Sequence, residues 1–468
     1  MKRPRVRTQI ATLAAAGLVA AGLTVFVTGA DAATTTYEAE SATITAGLVE
    51  SNHAGFSGSG FVNTDNAAGS AVQWSTQAVA GSATLRFRFA NGTTTNRPMR
   101  ITVNGTVVNS ALAFTGTGAW TSWQEASVTT TLRAGANTIL ATSTTATGGP
   151  NLDRLTVVDG TPATPVAING QLRVCGVKLC NQYGQPIQLR GMSTHGLQWY
   201  PQCVNDASLD ALAGDWQADH LRLSMYIQEG GYETNPRLFT DRMHNLIEQV
   251  SARGMYVIVD WHQLTPGDPN ANLAAAKTFF AEIAQRHGGK PNILYDVANE
   301  PNGTAWSRVK AYHEAIIPVI RAADPDSVIL LGTHGWGSLG VSDGGSETDV
   351  INNPVNATNV MYTFHFYAGS HGTEYLNTLS RAADRIPVFV TEFGTQEATG
   401  DGRNNFTQAR RYLDLMARTG VSWVNWNYSD DERSGAVFVP GTCAAGAYAG
   451  TGSLKQAGAW IRDRIRDR

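Results

Sequence analysis

Two glutamates stand at the ends of apolar, β-prone segments. Ile293 to Pro301 reads Ile-Leu-Tyr-Asp-Val-Ala-Asn-Glu-Pro, and Pro387 to Gly394 reads Pro-Val-Phe-Val-Thr-Glu-Phe-Gly. A buried strand tolerates carboxylates poorly unless its end opens into a site. In glycoside hydrolysis one carboxyl protonates the leaving oxygen while a second attacks the sugar or activates water. Glu300 and Glu392 are therefore candidates for such a pair, although a lone glutamate is most often a solvated surface residue.

The surrounding segments alternate between strand-like and helix-like patterns from residue 169 onward. Such alternation predicts a (β/α)8 TIM barrel over residues 169–468, because an open doubly wound sheet would need a Gly-rich phosphate turn after its first strand, and none follows it. Helix-length segments lie between the strands, for example Pro236 to Arg253 and Asn404 to Thr419. The eight predicted strands are Ile187 to Thr194, His220 to Tyr226, Met255 to His262, Ile293 to Glu300, Val328 to Gly332, Val360 to Tyr367, Val388 to Gly394 and Val421 to Tyr428.

Polar and aromatic residues gather at the predicted carboxyl ends of these strands, where barrel enzymes carry their active sites. Any one of them could be a structural residue, and for a lone histidine that is the usual case. Their shared position is what indicates a site. Besides the two glutamates, the set comprises His195, Arg222, Tyr226, His262, Asn299, His365, Tyr367 and Trp426.

The bulk composition is that of a globular protein of more than one domain. The chain has 468 residues, a formal net charge of -3 and 16% charged residues. That balance provides no basic field for nucleic acid or anionic lipid and suits a neutral substrate. We expect a protein that acts as a monomer.

The first 32 residues have the pattern of a secretory signal peptide. Lys2, Arg3, Arg5 and Arg7 precede an apolar stretch from Ile10 to Val27, and Ala30-Asp31-Ala32 fits a small-residue cleavage site. The long apolar stretch also permits an N-terminal membrane anchor. The pattern favours a secreted, extracellular protein with no membrane association after the signal is removed.

Residues 33–159 predict an all-β sandwich, jelly-roll-like, because short alternating segments are separated by Gly, Asn and Thr clusters. A Thr/Pro linker, residues 160–168, is expected to be extended and stiff and to keep the two domains close. Trp74 and Trp123 lie in alternating segments and are expected in the core. The opening Tyr37-Glu38-Ala39-Glu40 and the closing Asn151-Leu152-Asp153 resemble carbohydrate-binding modules of families 6 and 35.

This resemblance implies two sites in the module. Trp120 would stack on a sugar ring and Asn151 would hold its hydroxyls. A structural calcium ion would be held by Glu38, Glu40 and Asp153, since hard cations prefer oxygen ligands.

The four cysteines are Cys175, Cys180, Cys203 and Cys443. In an exported protein an even number favours disulfides, and the close pair Cys175/Cys180 would clip a hairpin before the first barrel strand. Cys203 would then pair with Cys443. Zinc binding is the alternative, but the spacing is unequal and no histidine cluster supports it.

The barrel segment resembles glycoside hydrolase family 5, and its start resembles the bacterial endoglucanases of that family. The matching motifs are Arg222, Asp260-Trp261-His262, Asn299-Glu300-Pro301, His365-Phe366-Tyr367, Thr391-Glu392-Phe393-Gly394, Trp423-Val424-Asn425-Trp426 and the opening Arg190 to Trp199.

The resemblance implies that Glu300 is the general acid/base and Glu392 the nucleophile of a retaining reaction without a cofactor. Carboxyl groups about 5 to 5.5 Å apart would fit retention, and a gap near 9 Å would fit inversion. Arg222 is expected beside Glu392, whose charge should raise the pKa of Glu300.

The resemblance also implies roles for the remaining residues. Tyr367 would hydrogen-bond the nucleophile and Asn299 the sugar's 2-hydroxyl, while His262 and His365 would bind hydroxyls or tune the carboxylates. Trp426 would underlie the sugar, and His195, Tyr226, Trp199 and Trp336 would extend the binding surface.

The expected activity is endo-β-1,4-glucanase action on cellulose or other β-glucan. A β-mannanase or other β-glucanase of the same family is the alternative enzyme, and a non-catalytic polysaccharide-binding protein is the alternative of another class. Related cellulases often carry a lysine five residues after Trp426, where this chain has Asp431, so contacts on the non-reducing side are expected to differ.

Overall fold

The computed structural model describes residues 34–78, 81–133, 135–162 and 164–467. The predicted signal peptide lies outside these ranges. The chain divides into two compact units whose boundary falls between Thr161 and Pro162. No helix in the described ranges is long and apolar enough to cross a bilayer.

The first unit consists of two facing β-sheets. One sheet has the strand order β3-β4-β11-β6-β9, with β1 also paired to β11, and the other has the order β2-β5-β10-β7-β8. The prediction of a sandwich is confirmed. The strands are β1 (Thr34–Glu38), β2 (Thr43–Thr45), β3 (Gly47–Glu50), β4 (Phe61–Thr64), β5 (Ala71–Ala78), β6 (Gly81–Ala90), β7 (Met99–Val103), β8 (Thr106–Leu112), β9 (Gln124–Leu132), β10 (Gly135–Ser143) and β11 (Asn151–Pro162).

Alternation along the strands builds the core of the sandwich. In β6 the buried side chains of Leu85, Phe87 and Phe89 alternate with the exposed Arg86 and the partly exposed Arg88. Phe87 packs against Trp74, with ring centroids 5.8 Å apart. Trp74 is buried as predicted.

Trp123, the second tryptophan predicted to be in the core, is only partly buried. Its Nε1 donates to the carbonyl of Ala54, and the guanidinium of Arg88 lies 5.3 Å from the ring centroid. The alternating pattern does not hold there, because Trp123 precedes β9 and belongs to a loop.

The segment between the units differs from the predicted extended linker. Strand β11 continues through Pro162, and residues Pro165–Asn169 form a short helix, α1. Pro165 has a φ angle suited to the first helical turn, and the Thr164 side chain accepts a hydrogen bond from the backbone N–H of Ala167. The same Thr and Pro residues that suggested a stiff linker therefore cap a helix.

The second unit is a closed barrel of eight parallel strands in sequence order, as predicted. A two-stranded hairpin, β12 (Arg173–Cys175) and β13 (Lys178–Cys180), precedes it. The barrel strands are β14 (Arg190–Thr194), β15 (His220–Tyr226), β16 (Tyr256–His262), β17 (Ile293–Asp296), β18 (Val328–Leu331), β19 (Val360–Tyr367), β20 (Val388–Gly394) and β21 (Trp423–Tyr428).

Each barrel strand is followed by a helix that covers the outside of the barrel. Asn235 caps α3 by accepting from the N–H of Leu238, and Pro236 occupies its first turn. The helices after α1 are α2 (Asp206–Asp210), α3 (Pro236–Ala252), α4 (Leu273–His287), α5 (Trp306–Arg321), α6 (Thr348–Asn352), α7 (Thr373–Ala383), α8 (Phe406–Thr419), α9 (Thr442–Ala445) and α10 (Gln456–Arg466).

Strand β17 ends earlier than predicted, at Asp296 rather than Glu300. The chain leaves the sheet there, and its amides bond to residues that end or follow β16. The N–H of Asn299 donates to Trp261 (3.1 Å) and that of Glu300 to Gln263 (3.3 Å). Glu300 therefore sits on a loop that the neighbouring strand anchors.

Two disulfides join Cys175 to Cys180 and Cys203 to Cys443, the two predicted pairs. The first closes the β12–β13 hairpin. The second links the segment after β14 to α9, which follows β21. Since β14 and β21 pair with each other, this disulfide spans the seam where the barrel closes.

Candidate active site

A cleft of about 840 Å³ opens at the carboxyl ends of the barrel strands. Glu300 and Glu392 both line it. One carboxylate oxygen of each, together with a ring nitrogen of His365, lie within 4.8 Å of one another. An upper limit of 4.8 Å between these oxygens is compatible with the ~5–5.5 Å between the carboxyl groups of retaining glycosidases and lies below the ~6.5–9.5 Å of inverting ones.

Glu392 is held by two donors. The Nη1 of Arg222 donates to its Oε2 at 3.0 Å, and the hydroxyl of Tyr367 donates to its Oε1 at 2.5 Å. Burial, together with the nearby charges of Glu392 and Glu300, raises the pKa of Tyr367 well above its usual value. Tyr367 therefore keeps its proton and remains a donor.

Arg222 is fully buried and is surrounded by acceptors. It donates to Asp296 at 3.0 Å and to Asn299 at 2.7 Å, and Asp260 lies 3.1 Å away. Burial opposes its charge, but the carboxylates of Asp260, Asp296 and Glu392 outweigh burial and raise the pKa of Arg222. The guanidinium is therefore a fixed positive charge beneath Glu392.

A closed hydrogen-bonded ring orients His262 and Asn299. Burial lowers the pKa of His262 well below its usual value, so its imidazole is neutral and carries one proton. The Nδ1 of His262 carries that proton and donates a hydrogen bond to the carboxylate of Asp260, 2.6 Å away. Its Nε2 then accepts from the amide of Asn299 at 3.3 Å, while the Asn299 oxygen accepts from Arg222. The orientation of the Asn299 amide is thereby fixed.

Glu300 has a different environment. Its Oε1 lies 2.9 Å from the Nδ1 of His365, and 13% of its side chain is exposed. Burial raises the pKa of Glu300 to about 8. The charge of Asp260 adds to this effect and Arg222 opposes it, whereas the predicted influence of Glu392 is not among the causes. Desolvation, rather than the neighbouring Glu392, keeps this carboxyl protonated.

Aromatic rings form the walls of the cleft. Trp426 stacks beside His262 with ring centroids 5.4 Å apart, and His262 stacks on Tyr226 at 4.1 Å. Trp199 and Trp336 are 42% and 44% exposed. Exposed indole faces beside buried ones are suited to stacking on sugar rings.

Most of the residues predicted from the sequence line this cleft. Arg222 and Asn299 do not, because both are buried beneath it, so Arg222 contacts carboxylates rather than an external ligand. His365 lines an adjoining cavity of about 350 Å³. The predicted residues on the cleft wall are His195, Trp199, Tyr226, His262, Glu300, Trp336, Tyr367, Glu392 and Trp426.

Sequence reasoning gave no role to Asp260 and Asp296, the two carboxylates that hold Arg222. A signal was present, because each lies within an apolar strand, where an unpaired carboxylate would be costly. The two residues are direct neighbours in the barrel register. Glu229 and Arg433 line the cleft and were also missed.

Asp431, the departure noted from the sequence, lies on the cleft wall. Its carboxylate is 3.4 Å from the Nε2 of His195. That interaction is the main reason the pKa of Asp431 falls to about 2. Lys455, which directly precedes α10, donates to the backbone carbonyls of Asp431 and Arg433. A lysine therefore holds the loop that follows β21.

In the sandwich, the two predicted ligand residues are in different environments. Trp120 is partly exposed, with Arg97 5.5 Å from its ring centroid and Gly92 packed so closely that a Cβ there would lie 2.5 Å from the ring. Asn151 is only 3% exposed, because it begins β11 and pairs with Asn63. The structure therefore favours Trp120 over Asn151 as a ligand contact.

The predicted calcium residues surround the loop at Ser57 and Ser59. Glu38 accepts from the Ser57 hydroxyl at 2.8 Å, and Glu40 Oε1 accepts from the Ser59 N–H at 2.7 Å. The Oε2 of Glu40 is buried and has no hydrogen-bond partner within the part of the chain that the structure describes, which fits a cation ligand.

Asp153, the third predicted calcium ligand, fits less well. Its carboxylate is ion-paired with Arg88 and accepts from the backbone N–H of Ser57. The donor set for a cation therefore rests on the two glutamates.

Comparison with known proteins matches both units. Residues 180–432 match the model of Cellulase (glycosyl hydrolase family 5), and residues 35–157 match that of Carbohydrate binding module (family 35). Endoglucanase E-5 of Thermobifida fusca is 62% identical over 303 residues, covering 65% of this chain and 65% of that protein. Endoglucanase CelA of Streptomyces lividans is 55% identical over 302 residues, covering 64% and 65%.

The crystal structure of the catalytic domain of Thermobifida fusca endoglucanase Cel5A (E5) has a TM-score of 0.64 and 62% identity, covering 65% of this chain and 99% of that one. A further structure shows that domain in complex with cellotetraose. The matches to the full-length relatives span less than two thirds of their lengths.

The chain belongs to glycosyl hydrolase family 5 and carries an N-terminal family 35 carbohydrate-binding module.

Proposed function

We propose that this protein is a secreted, retaining endo-β-1,4-glucanase that cleaves internal bonds of cellulose or related β-glucan. The observation that carries the proposal is the pairing of a protonated Glu300 with a cation-held Glu392, their oxygens within 4.8 Å, at the floor of an open aromatic cleft. Similarity to endoglucanases at 55–62% identity supports the substrate class. Glycosidases of this family need no cofactor for catalysis.

In the first step Glu392 attacks the anomeric carbon. An oxygen–carbon bond forms as the glycosidic carbon–oxygen bond breaks, and Glu300 gives its proton to the departing oxygen. Arg222 and Tyr367 hold the attacking carboxylate in place, so its orientation requires no reorganisation during the reaction.

In the second step water enters where the leaving group was. Glu300, now a carboxylate, removes a proton from this water while the water oxygen bonds to the anomeric carbon and the bond to Glu392 breaks. Two displacements restore the original configuration. Asn299 is buried beneath the cleft, where its amide accepts from Arg222 and lies beside His262, so it supports the groups that line the cleft.

Substrate identity is tested by comparing reducing-sugar release from carboxymethylcellulose and from galactomannan. Strong activity on carboxymethylcellulose supports the glucanase, and activity confined to galactomannan indicates a mannanase. Binding of either polymer without turnover would indicate a binding protein.

Amino-terminal sequencing of protein recovered from culture medium tests secretion, and light scattering tests the monomeric state.

The sandwich module tethers the barrel to solid polysaccharide. Binding through a second site raises the local concentration of enzyme when both sites reach one surface. Deleting residues 33–160 should spare activity on soluble oligosaccharides and weaken it on insoluble substrate. Trp120→Ala in the full chain should reduce retention on the polymer, and unchanged retention would place the sugar on another face.

A structural calcium ion bound by Glu38 and Glu40 stabilises the module. Calcium should raise the module's melting temperature over that in a chelator, because a ligand that binds only the native state stabilises it. Glu40→Gln should abolish that increase. The outcome against the site is an equal response to calcium in both proteins.

A further inference from the structure

We infer that Thr391 is a positioning residue for the acid/base: its hydroxyl donates to His365, holds the imidazole proton on Nδ1, and thereby leaves the Glu300 proton on the oxygen that faces substrate. This inference rests on the proposed function, because it specifies how the acid of that reaction is prepared.

His365 joins two side chains from different strands. Its Nε2 lies 2.8 Å from the Thr391 hydroxyl and its Nδ1 lies 2.9 Å from Oε1 of Glu300. Thr391 directly precedes Glu392 in β20, and successive side chains of a regular strand point to opposite faces. The strand pairing is irregular here, between Val390 and Phe393, so both residues reach the site.

The direction of the first hydrogen bond follows from the burial of Thr391. This side chain is fully buried, and within the described part of the chain His365 is the sole partner of its hydroxyl. If the hydroxyl accepted, its own hydrogen would be buried without an acceptor, which is unfavourable. If it donates, only lone pairs stay unpaired. Thr391 therefore donates, and Nε2 of His365 accepts.

The imidazole proton then lies on Nδ1. Burial lowers the pKa of His365, which keeps the ring neutral with one proton. The charged groups whose fields act on the ring are Glu392 on β20, Arg222 on β15, Asp296 on β17 and Asp260 on β16. The positive charge of Arg222 opposes ring protonation and the three carboxylates favour it, so the neutral form reflects burial.

This tautomer selects the oxygen of Glu300 that carries the proton. The Nδ1–H donates to Oε1, and because the carbonyl oxygen of a carboxylic acid is a stronger acceptor than its hydroxyl oxygen, Oε1 is the carbonyl oxygen. The acidic proton then occupies Oε2, the oxygen left free for the glycosidic oxygen. The opposite tautomer would accept from Oε1 and direct the acidic proton toward the histidine, away from substrate.

Leaving groups of different acidity test this chain of hydrogen bonds. The probes are 2,4-dinitrophenyl β-cellobioside, whose phenolate departs without a proton, and phenyl β-cellobioside, whose leaving group needs one. The parameter is kcat/KM, which reports bond cleavage. Thr391→Val should lower it about ten- to a hundredfold on the phenyl substrate, a part of the usual contribution of general acid catalysis, and less than threefold on the dinitrophenyl substrate.

Two variants serve as controls. Thr391→Ser keeps the hydroxyl and should retain most of the activity on the phenyl substrate. Thr363 is also fully buried, on the neighbouring strand β19, but its hydroxyl has no hydrogen-bond partner among the described residues. Thr363→Val should therefore affect both substrates equally and weakly.

The inference is overturned if Thr391→Val slows both substrates equally, if it behaves like Thr363→Val, or if Thr391→Ser is as impaired as the valine variant. These results leave the proposed function standing, provided that the wild type cleaves glucan. A wild type that binds both cellobiosides without cleaving them would refute the proposed function instead.

Discussion

The surroundings of Glu392 and Glu300 differ although the two side chains are chemically the same. Glu392 accepts from a buried guanidinium and a phenol, Arg222 and Tyr367. Glu300 touches the neutral ring of His365 and is desolvated. Cationic donors favour a carboxylate, whereas desolvation favours the acid. The roles proposed for the two glutamates therefore follow from their environments and not from the residue type.

The largest expected effects come from amide substitutions at the two carboxylates. Glu392→Gln should lower kcat/KM by about four orders of magnitude or more with every leaving group, because the attacking charge is lost. Glu300→Gln should do so only with leaving groups that need a proton. Kinetics with 2,4-dinitrophenyl and phenyl β-cellobioside provide the measurement. Equal losses for both variants on both substrates would contradict the assigned roles.

A smaller effect is expected from the phenol that holds the nucleophile. Tyr367→Phe should reduce kcat about ten- to a hundredfold, because one of the two groups orienting Glu392 is removed. Tyr362→Phe is the matched control, since Tyr362 is a buried tyrosine of the same strand whose hydroxyl accepts from the N–H of Val355. Similar losses in both variants would mean that Tyr367 acts through packing.

The pH dependence of activity should show one limb that belongs to Glu300. Its pKa is raised to about 8, so kcat/KM on phenyl β-cellobioside should fall as the pH rises through about 8 and the acid is lost. On the dinitrophenyl substrate, whose leaving group needs no proton, the wild type should lack this limb. A limb that persists on that substrate would belong to another group.

The smallest effect concerns stability. Between its ordinary pKa of 4.5 and the raised value of about 8, Glu300 binds more protons in the native than in the unfolded state. The contribution of Glu300 to the free energy of unfolding therefore falls as the pH rises across that window. Glu300→Gln removes the cost of ionising a buried carboxyl. The difference in melting temperature between the variant and the wild type should therefore be a few degrees larger, in favour of the variant, at pH 9 than at pH 5. The same difference at both pH values would contradict the assigned pKa.

Much of the barrel could be predicted because apolar segments mark its buried parallel strands. His220–Tyr226, Val360–Tyr367 and Val388–Gly394 have the predicted bounds. The early end of β17 could not be predicted, since Val297 and Ala298 are as apolar as the strand and the amides of the next two residues bond to a neighbouring segment.

The site was partly predictable for a similar reason. Residue types revealed Glu300 and Glu392, because carboxylates at strand ends are unusual. The pairing of Asp260 with Asp296 and the contact between Thr391 and His365 depend on the barrel register and on its irregularities. Sequence spacing alone does not specify these. The prediction of an extended linker was wrong because Thr and Pro are found both in stiff extended segments and at the start of helices, and residues Pro165–Asn169 are helical.

The disulfide between Cys203 and Cys443 encloses a loop with a sequence separation of 240 residues. In the chain-entropy model, closing a loop of that length raises the free energy of the unfolded chain by about 5 kcal/mol. It also changes what a single cut can do. If a protease hydrolyses one peptide bond between these cysteines, the two pieces remain one molecule, and the barrel strands on either side of the nick stay tethered at the seam between β14 and β21.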